Sequence, residues 1–287
     1  EKWKNLVNRR FVDYLHKDAF LAAISGECDP FGVTAVVHLG ACSSTTETDA
    51  EYLMRNNFAY TRAVARYALR HGARLIVASS AATYGDGAQG FNDDPDGLET
   101  LRPLNMYGYS KHLFDLWARR EGLLGKLASL KFFNVYGPNE YHKGEMRSVV
   151  CKAYRQIKDT GRLALFKSYR AEYPDGGQQR DFLYVKDAVG VMAWLLDHPD
   201  VGGLYNVGSG AARTWNDLAS AIFTAMGRSA AVDYVEMPET LRAKYQYFTE
   251  ARLTRLRAAG YDRPFLTLED GVDDYVRTYL AGADPYL

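Results

Sequence analysis

The chain has 287 residues, 47% of them apolar and 24% charged, which suffices for one large domain or two modest ones around a filled core and excludes intrinsic disorder. Its 35 basic residues balance 35 acidic ones, so no basic stripe or acidic tail exists and nucleic acid is not an expected partner. Apolar runs of strand length, a polar and amphipathic start, and three cysteines without metal-ligand spacing (Cys28, Cys42, Cys151) lead one to expect no membrane helix, secretory signal or cysteine metal site, and reduced thiols in a cytoplasmic protein.

A parallel nucleotide-binding sheet ordinarily opens with a strand, a glycine-rich turn and a helix. Here the chain starts at Glu1 in what reads as a loop. A strand-helix-strand unit of roughly 30 to 40 residues is therefore expected upstream, with the strands Ala35 to Leu39 and Arg74 to Ala78 flanking its empty central place.

Those two segments and Ser129 to Phe133 are short, nearly continuous apolar runs, as strands buried on both faces are, with Lys131 the single interruption. Between the first two lies a helical stretch with apolar Tyr60, Val64, Tyr67 and Ala68, ended by Gly72. The alternation predicts an α/β fold, a Rossmann-type doubly wound parallel sheet whose ligand site lies at the carboxyl ends of the strands. After about residue 140 the rhythm loosens. A turn at Tyr173 to Gly177, a strand at Leu204 to Val207 and a helix capped by Thr214 and Asp217 and running to Met226 predict a smaller α/β lobe. The boundaries are 1–140 for the sheet domain, with later segments returning to it, and 141–287 for the lobe.

Tyr107 and Lys111 stand four residues apart, on one face of a helix. Tyr154 and Lys158 share that spacing, but only the first pair follows a strand ending in a serine cluster, from which Ser80 can emerge towards the phenol. The trio suits hydride transfer at an alcohol. A nearby ammonium and an oxidised nicotinamide would both favour the Tyr107 phenolate, which takes the hydroxyl proton while Ser80 holds the same oxygen. His38 reads as a satisfied strand-end histidine, and Cys42 lacks the adjacent base of a nucleophile.

Ser80, Tyr107 and Lys111, with His38 to Ala41 and Arg180 to Asp187, resemble the extended short-chain dehydrogenase/reductase superfamily acting on nucleotide sugars. More narrowly, His38 to Glu47, Ser79 to Gly85, Phe133 to Pro138, His142 to Gly144 and Phe248 through Tyr261 resemble the ADP-L-glycero-D-manno-heptose 6-epimerase family. The resemblance implies an isomerase of lipopolysaccharide inner-core synthesis that oxidises carbon 6 of an ADP-heptose with bound NADP, lets the ketone turn, and returns the hydride to the other face. It further implies a second base at Lys143, and a homo-oligomer, since the family forms pentamers. Residues 1–140 become the NADP-binding domain and 141–287 the nucleotide-sugar lobe.

The cofactor positions carried over are Lys2, Lys17, Leu39, Gly40, Ala41, Cys42, Ser43, Asn56, Lys111, Val135 and Lys143. The small residues after His38 fit independently, because a backbone must approach a dinucleotide closely there. The substrate positions are Asn134, Glu145, Lys152, Phe166, Lys167, Ser168, Tyr169, Arg180 and Tyr245, of which the planar fork of Arg180 suits a diphosphate. Where family members carry Ser after His-Lys-Gly and a His further on, this chain has Glu145 and Lys152, and its loop 168–179 is longer. Dehydratases of the superfamily carry an Asp-Glu pair where Ala81 and Ala82 stand here, which disfavours elimination. The alternatives are another nucleotide-sugar epimerase, such as one acting at carbon 4 of a UDP-hexose, and a non-catalytic NADP-sensing protein.

Overall fold

A computed structural model of the protein describes residues 2–242 and 245–286. In chain order its first elements are α1 (Lys17–Ile24), β1 (Ala35–His38), α2 (Ala50–Leu53), α3 (Tyr60–Arg70), β2 (Arg74–Ser80), α4 (Met106–Arg120) and β3 (Leu127–Phe132). There follow β4 (Asn134–Tyr136), α5 (Val149–Thr160), β5 (Leu163–Phe166), β6 (Gln179–Tyr184), α6 (Val185–Asp197), β7 (Gly203–Val207) and β8 (Ala212–Thr214). The last are α7 (Trp215–Ala225), β9 (Val232–Val235), α8 (Glu239–Arg242), α9 (Thr254–Ala258) and α10 (Leu268–Asp274).

The three apolar runs form strands because apolar residues on both faces can be satisfied only inside a sheet covered on both sides. β1, β2, β3 and β7 pair in that order, each neighbour parallel. The register sets His38 opposite Val77, so β2 runs three residues past the end of β1 and carries Ser80 to the last pair of its ladder with β3, opposite Phe132. On one face α3 buries Val64, Ala65, Tyr67 and Ala68 against Leu75, Val77, Phe114 and Leu127, and it stops where Gly72 adopts φ +69°. On the other face Val191, Trp194 and Leu195 of α6, with Leu256 of α9, cover Ile76, Leu130 and Val207. Each such Leu or Val side chain taken from water contributes roughly 1.5 to 3 kcal/mol before entropy is charged.

Two sequence expectations change here. Ala35–His38 and Arg74–Ser80 do not flank a vacant place: they hydrogen-bond directly, Ala35 beside Arg74, and among the described residues β1 is the edge strand. Leu204 to Val207 belongs to the first sheet as β7 and not to the second lobe, and it is buried along its whole length, with Asn206 satisfied by Asp93, Tyr84 and Phe91 O.

The second lobe is built instead from β4, β6 and β8, with β5 and β9 paired beside them. Their core joins Tyr136, Ile157, Leu165, Phe182, Ile222 and Val272. The capping box is present: Thr214 Oγ1 accepts from Asp217 N at 2.9 Å while Asp217 accepts from Thr214 N at 2.9 Å. Tyr154 lies in this same core, on the buried face of α5, and Lys158 points to solvent. Exchange of Tyr154 for Phe is therefore expected to leave turnover within about twofold of the unaltered protein, the ordinary outcome away from a reacting centre, as read from initial rates.

Candidate active site

The site is assembled where β2 ends. Ser80 has extended backbone (φ −153°, ψ 146°), and its hydroxyl accepts from Ala82 N at 3.1 Å, which starts the tight turn Ala81–Tyr84. α4 begins just opposite. Asn105 caps it by accepting from Gly108 N at 2.8 Å, and Gly108 lets its first turn press on the Ser80 turn, since a Cβ there would stand 2.7 Å from Ala82 O. This approach brings the Tyr107 phenol to Ser80, whose hydrogen bond lowers a pKa that burial has raised above the usual tyrosine value.

Lys111 follows one turn later, buried, its Nζ donating to Ala78 O at 2.7 Å. Burial draws its pKa down to about 8 against the opposing charge of Asp115. The groups acting on Tyr107 are its burial, Ser80 and Cys42, and burial dominates.

Beneath the trio lies a buried ion pair that sequence reasoning missed. Asp115 accepts from Ser79 Oγ (2.7 Å), Ser129 Oγ (2.7 Å) and Lys131 Nζ (2.9 Å), and Lys131 also donates to Thr83 Oγ1 at 2.6 Å. It ties the end of β2, the turn after it and α4 to β3. Its signals were the lysine inside an apolar strand and the aspartate four residues after Lys111.

The segment Leu39 to Ser43 leaves β1 at the same edge, with Leu39 49% exposed. Asn57, in the π-helical turn Met54–Ala59, holds it from below: Nδ2 donates to Cys42 O (3.0 Å), Oδ1 accepts from Cys42 N (2.8 Å), and Nδ2 also donates to Ser110 Oγ (3.0 Å) on α4. Asn56, adjacent, accepts from Lys17 Nζ at 2.5 Å. Asn56 donates in turn to Asn57 and Ser110 Oγ donates to Tyr107 O, so one network links Lys17, Asn56, Cys42, Ser110 and the Tyr107 backbone, with buried Asn57 as the keystone absent from the sequence reading, while Lys111 stands beside it on Ala78 O. Val135 is exposed on β4, and Lys2 sits apart in the short turn Lys2–Leu6, whose Asn5 donates to Asn139 O at 3.0 Å.

Lys143 is exposed immediately before the turn Gly144–Met146, and Asn134 is exposed on β4. Glu145 accepts from Lys152 Nζ through its backbone oxygen at 3.1 Å. Lys152, Phe166 and Tyr245 line a cavity of about 410 Å³ with Trp215 and Gln156, so three of the substrate positions converge. Lys167 and Tyr169 instead join Glu236 in an exposed cluster, Lys167 at 2.8 Å, while Ser168 N donates to Asp175 Oδ1 at 2.7 Å. Arg180 is engaged by its own fold. Its guanidinium donates to Gln179 O (2.8 Å) and Gln246 O and lies 5.1 Å from the Tyr245 ring centre, so part of the fork expected for a diphosphate orients Tyr245 and the chain around it.

His38 is a satisfied strand-end histidine, as read from the sequence. Nε2 is 2.9 Å from Thr61 Oγ1, and burial, then the nearby Lys111 charge, lower its pKa to about 4. Because the folded value lies below the unfolded one of about 6.5, the unfolded chain binds this proton more readily. His38's contribution is complete above about pH 6.5 and is lost as pH falls towards 4, roughly 3 kcal/mol in all. The melting temperature is expected to fall through that window and to fall less steeply in His38→Gln; equal slopes would show that His38 does not set the acid limit.

Residues 3–208 match the profile of the NAD dependent epimerase/dehydratase family. Over all 287 residues, and 89% of the relative's length, the chain is 61% identical to the ADP-L-glycero-D-manno-heptose-6-epimerase of Nitratidesulfovibrio vulgaris strain DP4. It is 46% identical to the enzyme of the same name from Fusobacterium nucleatum, across the whole chain and 89% of that relative. Among solved structures, Helicobacter pylori ADP-L-glycero-D-manno-heptose-6-epimerase superposes with a TM-score of 0.73 at 27% identity, covering 86% of this chain and 72% of that one.

Proposed function

This chain belongs to the NAD dependent epimerase/dehydratase family, and from that premise we propose that it is an epimerase inverting carbon 6 of ADP-D-glycero-D-manno-heptose to the L-glycero form, with NADP as its nicotinamide dinucleotide. The observation that carries the reading is the meeting of Ser80, Tyr107 and Lys111 at the end of β2, in a chain 61% identical over its length to a protein named for that reaction.

The residues at the strand ends fit a dinucleotide. Leu39 to Ser43 offers small side chains and a backbone held from behind by Asn57, and Lys111 uses one of its three N–H donors on Ala78 O. Lys17 and Asn56 would hold the cofactor's polar parts, Val135 its apolar face, and Lys2 and Lys143 its charge. When bound, the nicotinamide supplies reversible uptake of one hydride. Tyr107 takes the proton of the carbon 6 hydroxyl as that hydride leaves, and Ser80 keeps the oxygen in place. Burial raises the phenol's pKa and the Ser80 hydrogen bond lowers it, and the positive charge that an oxidised nicotinamide would carry beside it would favour the phenolate. Lys143 handles the proton when the ketone has turned and its other face is reduced.

Residues 1–140 hold the cofactor, and residues 141–287 hold the nucleotide sugar. The cavity beside Lys152, Phe166 and Tyr245 is the main site in that second part, with Glu145 held by Lys152 and Arg180 against Tyr245, and Asn134 on β4 and Lys167, Ser168 and Tyr169 on the longer loop would complete it. On this reading the protein is a cytoplasmic homo-oligomer acting on precursors of the lipopolysaccharide inner core. The test is to incubate it with ADP-D-glycero-D-manno-heptose and NADP and to resolve the two carbon 6 epimers. Accumulation of the L form supports the proposal, and turnover of a UDP-hexose in its place would overturn it.

A further inference from the structure

Glu140 is a buried carboxylate, 5% exposed, for which the mechanism above has no use. It stands where the loop carrying Lys143 begins, and its three hydrogen-bond donors come from elsewhere. Ser148 N donates to Oε2 at 2.5 Å, Ser148 Oγ to Oε1 at 2.6 Å, and the Tyr275 hydroxyl to Oε1 at 2.9 Å. Ser148 is the residue where that loop ends, and it caps α5 by accepting from Cys151 N at 3.3 Å. The carboxylate therefore fastens the last residue before residues 141–147 to the first residue after them. Backbone hydrogen bonds shape the span between: Lys143 N donates to Glu140 O at 3.0 Å and Met146 N to Lys143 O at 3.0 Å.

A buried charge is a poor way to gain stability, because desolvation consumes most of what its partners return. A fully satisfied carboxylate does fix geometry, and this one also lies at the amino end of α5, where a negative charge is favoured. Tyr275 extends the attachment to the π-helical turn Tyr275–Leu280, which packs in the second lobe's core. Both ends of the loop are thus referred to that core and not to solvent.

We propose that Glu140, with Ser148 and Tyr275, is a positioning clasp that presents Lys143 to the reacting carbon. This rests on the reading of Lys143 as second base. The test compares Glu140→Gln with Lys143→Met. Glu140→Gln keeps the volume but puts an N–H₂ against the Ser148 donors. Its kcat per mole of bound NADP is expected to fall about tenfold or more with KM within about twofold, since a small misplacement of a reacting group costs rate before binding. Amides of residues 141–147 are expected to exchange hydrogen about tenfold faster while those of α4 stay unchanged.

An inactive Lys143→Met beside a Glu140→Gln of normal kcat overturns the clasp and leaves the second base standing. A slowed Glu140→Gln whose loop exchange is unchanged also overturns the clasp, because the effect would not run through the loop. A Lys143→Met that inverts normally overturns both. If Glu140→Gln binds no NADP, Tyr275→Phe replaces it. That variant removes a single donor and is expected to show a smaller loss with the same kcat and exchange pattern, whereas unchanged kcat and exchange overturn the proposal.

Discussion

Tyr107→Phe is expected to lower the rate of carbon 6 inversion by roughly 100-fold or more, the scale of a lost general base, equivalent to about 2.7 kcal/mol of transition-state stabilisation. The substitution keeps the ring and removes only the hydroxyl that meets Ser80. Asn105 and Gly108, which position that helix end, are untouched. NADP should therefore remain bound with a Kd close to that of the unaltered protein, since Lys111 and the Asn57-held segment after β1 are unchanged. Rate measurements beside Tyr154→Phe provide the comparison. Similar losses in both would mean that helical spacing, and not contact with Ser80, had selected the site. A loss of NADP binding equal to the loss in rate would make Tyr107 a structural residue.

Lys143→Met is expected to abolish inversion while preserving the fold. Methionine keeps much of the stem of the exposed lysine and removes its charge, so little packing is at risk. The reason for so large an effect is stereochemical. One hydride leaves one face and returns to the other, so the carbon 6 oxygen occupies two positions in a cycle, and a base fixed beside Ser80 reaches only one of them. A heptose analogue with an aldehyde at carbon 6 separates the two roles. One molecule can be oxidised while another is reduced, and each base should support part of that exchange, so Tyr107→Phe with Lys143→Met should be far slower than either single variant. Normal inversion by Lys143→Met would reduce Lys143 to a surface charge and favour a single-base mechanism, as in the carbon 4 reading.

By itself the sequence determined what depends on short-range periodicity. Three nearly continuous apolar runs became β1, β2 and β3, Tyr107 and Lys111 fell on one face of α4, and the Thr214–Asp217 box started α7. Each follows from the two-residue or 3.6-residue repeat of the backbone, which a few neighbouring side chains reveal. The Ser80 position was legible for the same reason, as the residue where an apolar strand turns polar.

What only the tertiary structure decided are partnerships between distant residues. The adjacency of β1 and β2 and the return of Gly203–Val207 to β3 are matters of strand order, on which local pattern is silent, because any buried parallel strand reads alike. Asn57 gripping Cys42, Asp115 paired with Lys131, and Arg180 spent on Gln246 depend on registers set by packing between segments more than ten residues apart. The burial around Tyr107 and Lys111 belongs here as well. Spacing along a helix shows that an ammonium is near, but how deeply both groups are buried and where the lysine's donors point are properties of the assembled core.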